Sequence, residues 1–174
     1  MDIEKYMQNP GICQYALVST EQIPFSSEVV EMCRANQCGK YGTCWTCPPG
    51  AGTPEALRGS ILSYLHACVF SCVHTLEDSF DFEGMIEAQQ KTQSILRDIV
   101  ARLRRDGQDV MAIGCEGCSR CSKCTYPDGP CRFPEYAVPS VEACGIHMVE
   151  LAKRTGLRYY HGASTVTYFC LILF

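Results

Sequence analysis

The sequence predicts an α/β domain: one layered unit spanning residues 1–174, with a mixed sheet, flanking helices, a C-terminal β-hairpin and two Cys-rich loops. Three observations carry this. Short apolar runs rich in β-branched and aromatic residues alternate with segments of helical periodicity. The length of 174 residues suits one domain with a sizeable core, since 47 % of residues are hydrophobic. Fourteen cysteines fall largely into two tight groups, at 33–50 and 114–134.

In chain order, Gln14 to Ser19 (QYALVS) begins the strands. Ser26 or Ser27 caps a short helix to Met32. The first Cys-rich loop follows and is closed by Pro48-Pro49-Gly50. Thr53-Pro54-Glu55 supplies a cap, a first-position proline and a first-turn acid, which predicts a helix to about Tyr64. His66 to His74 (HACVFSCVH) reads as a buried strand. Asp81 caps a long helix to Arg105, stopped by Gly107 and ~36 Å long at 1.5 Å per residue. Its apolar stripe is Phe82, Met85, Ile86, Leu96, Ile99, Val100 and Leu103. The polar gap on that face, Gln89, Thr92 and Gln93, is expected to meet water, with a partner subunit as the alternative.

Val110 to Ile113 reads as a short strand entering the second Cys-rich loop. Ser140 is expected to cap a helix ending at Gly156. Leu157–Tyr160 and Val166–Leu173 read as the two arms of the terminal hairpin.

The net charge of −4 gives no electrostatic case for nucleic acid or an anionic membrane. Arg102, Arg104 and Arg105 suit a helix C-terminus instead. The opening MDIEKYMQNPG has neither a basic region nor an apolar core, and no run reaches the length of a membrane helix. The expectation is therefore a cytoplasmic protein, where thiols stay reduced, and the cysteines are expected to ligate metal and not to pair as disulfides.

The second loop reads Cys115-x2-Cys118-x2-Cys121-x2-Cys124-x6-Cys131. A C-x2-C-x2-C run is how bacterial ferredoxins supply three ligands to a cubane cluster, with a more distant cysteine completing a site. The first loop reads Cys33-x4-Cys38-x5-Cys44-x2-Cys47-Pro-Pro. Four thiolates in fifteen residues suffice for one centre, and a four-cysteine zinc site tolerates similar spacing. Two 4Fe-4S clusters, one near each end of the domain, account best for both. One cluster beside a zinc or empty site, or zinc alone, are the alternatives.

The segments CRANQCGKYGTCWTCPPG (33–50), CEGCSRCSKCTYPDGPCRFPE (115–135) and PSVEACGIHM (139–148) resemble a bacterial and archaeal family of Cys-rich proteins. That family is described only as predicted metal-binding. The resemblance covers most of the chain and implies a metal-binding, iron–sulfur protein of anaerobes, and it points to no particular substrate. Matched position by position, it implies cysteine ligands at Cys33, Cys38, Cys47, Cys118, Cys121, Cys124 and Cys131, and an electrostatic role for Arg132. Family members often lack a cysteine at the position of Cys44, and Cys115 looks like an addition. Cys44 is the favoured fourth ligand of the first site. Cross-ligation by Cys115, or an iron open to substrate, are the other solutions.

Cys68, Cys72, Cys144 and Cys170 fall in apolar patterns and read as core residues. The four histidines show no paired ligand spacing. Trp45 and Tyr41 are expected to shield the first site, and Arg120 and Lys123 either to favour an anionic cluster or to solvate the loop. No nucleotide or phosphate motif accompanies the cysteines. Electron transfer to an unknown redox partner protein is the first functional expectation. An enzyme using an open cluster, and a structural zinc or cluster module, are the alternatives.

Overall fold

A computed structural model describes residues 1–174. Its elements are β1 (Gln14–Ser19), α1 (Ser27–Arg34), α2 (Pro54–Leu62), β2 (His66–Thr75), α3 (Phe82–Arg105), β3 (Met111–Ile113), α4 (Met148–Thr155) and β4 (Thr165–Leu173). Single 3-10 turns lie at Glu4–Tyr6, Thr20–Gln22 and Pro134–Tyr136. The expected helix starts hold. Ser26 accepts a backbone N–H from Glu28, Thr53 from Ala56 and Asp81 from Gly84. No helix is long and apolar enough to cross a membrane.

The four strands form one sheet in the order β1-β2-β4-β3, and every neighbouring pair is antiparallel. The α/β class is as expected, but the sheet is not mixed. β2 and β3 run in the same direction, as the intervening helix α3 suggests. They are not neighbours, because β4 inserts between them and runs against both. Alternation of strand and helix in the sequence reports the direction of a crossover. It does not report what fills the gap.

The terminal hairpin is also corrected. β4 pairs with β2 along its length and with β3 only at Leu171–Leu173, and Leu157–Tyr160 does not form a strand on the open remainder. That segment lies against the sheet instead. Leu157 is buried, Tyr159 stacks on Phe169 with ring centroids 5.4 Å apart, and the Gln14 side chain pairs with the Arg158 backbone. The helix expected from Ser140 is shorter too. Ser140 Oγ accepts from Ala143 N, but Gly145 turns left-handed at φ 68°, and His147 caps α4 by accepting from Glu150 N.

Side chains alternate across the sheet. Cys68, Phe70, Cys72, Ala112, Cys170 and Ile172 face α3 and the N-terminal turn, packing on Leu96, Ile99 and Leu103. Val69, Ile113, Phe169, Leu171 and Leu173 face α2, α4 and the 141–146 turn, packing on Ile61, Ile146 and Leu151. Each such aliphatic or aromatic side chain contributes about 1.5–3 kcal/mol through burial. The expected stripe of α3 holds from Leu96 to Leu103, while Phe82 and Ile86 near its start are exposed. These two cores fix the β3 end of the sheet, from which the second cysteine loop departs.

Candidate metal centre

The first cysteine loop begins on the last turn of α1, which carries Cys33. Asn36 adopts φ 54° and its side-chain oxygen accepts the Tyr41 N–H at 2.9 Å. Gly42 N–H donates to Pro48 O at 2.8 Å and closes the loop. The second loop leaves β3 through Gly114, clamped by Gly114 N–H to Pro139 O at 2.9 Å and Val141 N–H to Gly114 O at 3.0 Å.

The loops are far apart in sequence yet pack on each other, so the expectation of one centre near each end of the domain is overturned. Thr46, buried, joins three segments. Its hydroxyl accepts the Cys118 N–H at 2.9 Å and lies 3.4 Å from Cys44 Sγ, while its carbonyl accepts from Ser140 N at 3.3 Å. Trp45 Nε1 donates to Gly129 O at 3.1 Å, and its ring meets Tyr126 edge-on at 4.9 Å. A Cβ added to Gly117 would lie 3.2 Å from Cys47 Sγ, and one added to Gly50 only 2.6 Å from Cys44 O and 2.9 Å from the Tyr126 ring. Gly117 lets the second loop close on Cys47, and Gly50 lets the first loop turn on itself beneath Tyr126.

Helix α3 supports this assembly through the residues expected to face water. Gln89 and Gln93 are buried. Gln89 Nε2 donates to Gly117 O at 2.8 Å, and Gln93 Nε2 donates to Cys115 O at 3.0 Å and Gly117 O at 3.2 Å. Gln93 Oε1 accepts from Ser119 at 3.3 Å. Thr92 is also buried, bonded to Ala88 O and His74. The polar gap satisfies backbone carbonyls of the second loop, which would otherwise be buried without partners.

Between the loops lies a cavity of about 400 Å³. Cys44, Cys118, Cys121, Cys124 and Cys131 line it, so the structure gathers all four expected ligands of the second loop together with one from the first. Lys40, Arg120, Lys123 and Arg132 also line it, with Trp45, Tyr126, Phe133 and Tyr136. Trp45 therefore covers this cavity and not the one beside Cys33. Arg120 stands over the Phe133 and Tyr136 rings at 4.4 and 4.5 Å. Arg132 Nη1 donates to Lys123 O at 2.9 Å, bracing the turn that separates Cys124 from Cys131.

Cys33 lines a second cavity, of about 280 Å³, with Tyr41, Pro48, Pro49, Glu55 and Glu142. Cys38 is exposed, and Cys47 is buried between the loops. All fourteen cysteines are free thiols. No three Cys, His, Asp or Glu side chains gather closely enough to share one metal ion.

The thiols differ in acidity. The Cys47 S–H held against Cys44 is the largest influence lowering the Cys44 thiol, to about 5, aided by the Thr46 hydroxyl and the Thr46 and Cys118 N–H groups and opposed by burial. Cys47 is pushed up strongly by the same bond and by burial. Burial also raises Cys33 and Cys118. Cys115 is turned into the core against Cys170, with that contact first and burial second raising its thiol far above the ordinary value. Cys68 and Cys144 are each pushed up to about 12, chiefly by burial, as suits core thiols.

Sequence reasoning named the thiols but missed Thr46, Gln89 and Gln93. Two glutamines on the core face of a helix were the available signal. Soft thiolate donors concentrated on one end of an α/β scaffold, in a cavity rimmed by cations, define a cysteine-rich metal-binding protein. The chain belongs to the family described as Predicted metal-binding protein (DUF2284), whose model matches residues 16–174 and so includes both loops. No curated protein and no solved structure matches the chain.

Proposed function

We propose that this protein holds two 4Fe-4S clusters and relays single electrons to a partner protein. Cys33, Cys38, Cys44 and Cys47 are assigned to the first cluster, and Cys118, Cys121, Cys124 and Cys131 to the second. The observation that carries the reading is the cavity lined by five thiols and four cationic side chains. Cysteine at every third position of the second loop is the spacing that gives three ligands to one cubane, whereas a zinc site draws on two C-x2–4-C pairs separated by a longer stretch, which supports the iron–sulfur reading. A cubane's thiolate-ligated core is anionic, and Lys40, Arg120, Lys123 and Arg132 would favour its reduced state. The cluster supplies the one-electron chemistry. The protein's own residues set access and potential: Trp45 and Tyr126 exclude water, and the N–H groups of the loop donate toward sulfur.

Cyclic voltammetry on anaerobically reconstituted protein tests this reading. A reversible one-electron couple is expected, and a redox-silent protein carrying zinc would refute it.

A second reading is favoured by Cys44, which lines the cavity of the second loop. If it ligates no iron of the first cluster, Cys33, Cys38 and Cys47 leave one iron there open to a small molecule, beside Glu142. Under this reading Cys44→Ala keeps both clusters. Under the first reading it loses the first cluster.

A further inference from the structure

We infer that the free edge of β1 is a two-fold interface, joining a second copy of this chain into a continuous eight-stranded sheet. β1 is the outer strand on the side opposite β3, the strand that feeds the cysteine loop. His66 and Phe174 exchange both backbone hydrogen bonds, so even residues of β2 face β4 and odd ones face β1. In β1 the even residues therefore turn inward, in agreement with Thr20 N–H to Leu65 O at 3.1 Å. The N–H and C=O groups of Tyr15 and Leu17 point outward with no partner in the chain. Ser19 N–H reaches only Gln22 Oε1, at 3.4 Å.

Natural edge strands are usually blunted by charge, proline or a covering segment. QYALVS contains no charge and no proline, and Tyr15 and Leu17 expose apolar side chains beside the unpaired backbone. A two-fold axis at Leu17 satisfies all three outward residues. Leu17 pairs with Leu17 of the second copy, and Tyr15 with Ser19, giving about six backbone hydrogen bonds. The Leu17 side chains meet at the axis, with Tyr15 diagonal to them.

Charge complements the same register. The Arg158 backbone is held to the Gln14 side chain by two hydrogen bonds, its exposed guanidinium donates through Nε to Tyr160 O at 2.9 Å, and exposed Glu21 follows the other end of the strand. The axis sets Gln14 opposite Thr20 of the second copy, which brings each Arg158 to the other chain's Glu21. The cysteine cavities remain on the outer edges of the joined sheet, so this pairing does not depend on what they bind.

Sedimentation equilibrium of the full chain, prepared without oxygen, tests the interface. The wild type is expected to have the mass of two chains at micromolar concentration. Leu17→Lys sets two cations against each other at the axis and should raise the dimer dissociation constant at least tenfold, with an unchanged circular dichroism spectrum. Arg158→Glu and Glu21→Arg should each weaken the dimer several-fold, and together restore it. A monomeric wild type, a dimer indifferent to Leu17→Lys, or a charge swap without rescue would each overturn the proposal.

Discussion

Thr46 shows how single residues hold the site. Its hydroxyl takes up the Cys118 N–H and touches Cys44 Sγ, so one side chain ties a cysteine of each loop to the other. Thr46→Val keeps the shape but leaves the Cys118 N–H without a partner. We expect a loss of about 1–3 kcal/mol in urea unfolding, with Thr46→Ser close to wild type. Gly50 is constrained differently. A methyl group there would meet Cys44 O at 2.6 Å, and backbone cannot move aside as a flexible side chain would. Gly50→Ala should therefore distort the first loop and press on the Tyr126 ring of the second, 2.9 Å away, and lower metal content while every cysteine is retained. At this scale the cysteines were legible because thiolates cluster visibly in sequence. Their pairing was not. The place of Cys44 depends on Cys118, more than seventy residues away, and no local spacing records that contact.

Among the elements, α3 links core to site. Its C-terminal half packs Leu96, Ile99 and Leu103 on the sheet, and its middle turns Gln89 and Gln93 toward the second loop. Gln93→Leu would leave Cys115 O unpaired and weaken the hold on Gly117 O and Ser119, costing about 1–3 kcal/mol for each orphaned group. The expected outcome is lower thermal stability and reduced metal retention, measured by calorimetry and metal analysis, although no ligand is altered. The strands and the caps of α1, α2 and α3 were legible because alternation and capping are local. The role of the glutamines was not, since helical periodicity shows only that polar residues interrupt a core face. What meets them is backbone 22 to 28 residues further along the chain. The hairpin failed for a similar reason: Leu157 is drawn into the core and the Arg158 backbone pairs with the Gln14 side chain, contacts with residues far away in sequence.

For the molecule as a whole, the sheet and its helices close two apolar cores of their own, and the two loops carry little regular structure. The cores on both faces of the sheet are apolar and closed, whereas residues 35–53 contain no helix or strand and residues 114–147 only one 3-10 turn. Ordering such lengths of chain costs about 1–2 kcal/mol per residue in backbone entropy, and ligation offsets part of that cost. Chelation should therefore raise hydrogen exchange throughout both loops while β2 and β4 stay protected. Equal loss of protection in the sheet would show that the scaffold itself depends on metal.

The claim on which the functional reading rests is that these thiolates enclose iron–sulfur cores. Its most direct test is the iron, zinc and acid-labile sulfide content of protein purified without oxygen, read with its visible absorption spectrum. About eight iron and eight sulfide per chain are expected, with broad thiolate-to-iron absorption that bleaches on reduction. Stoichiometric zinc without sulfide, in colourless protein, would contradict it.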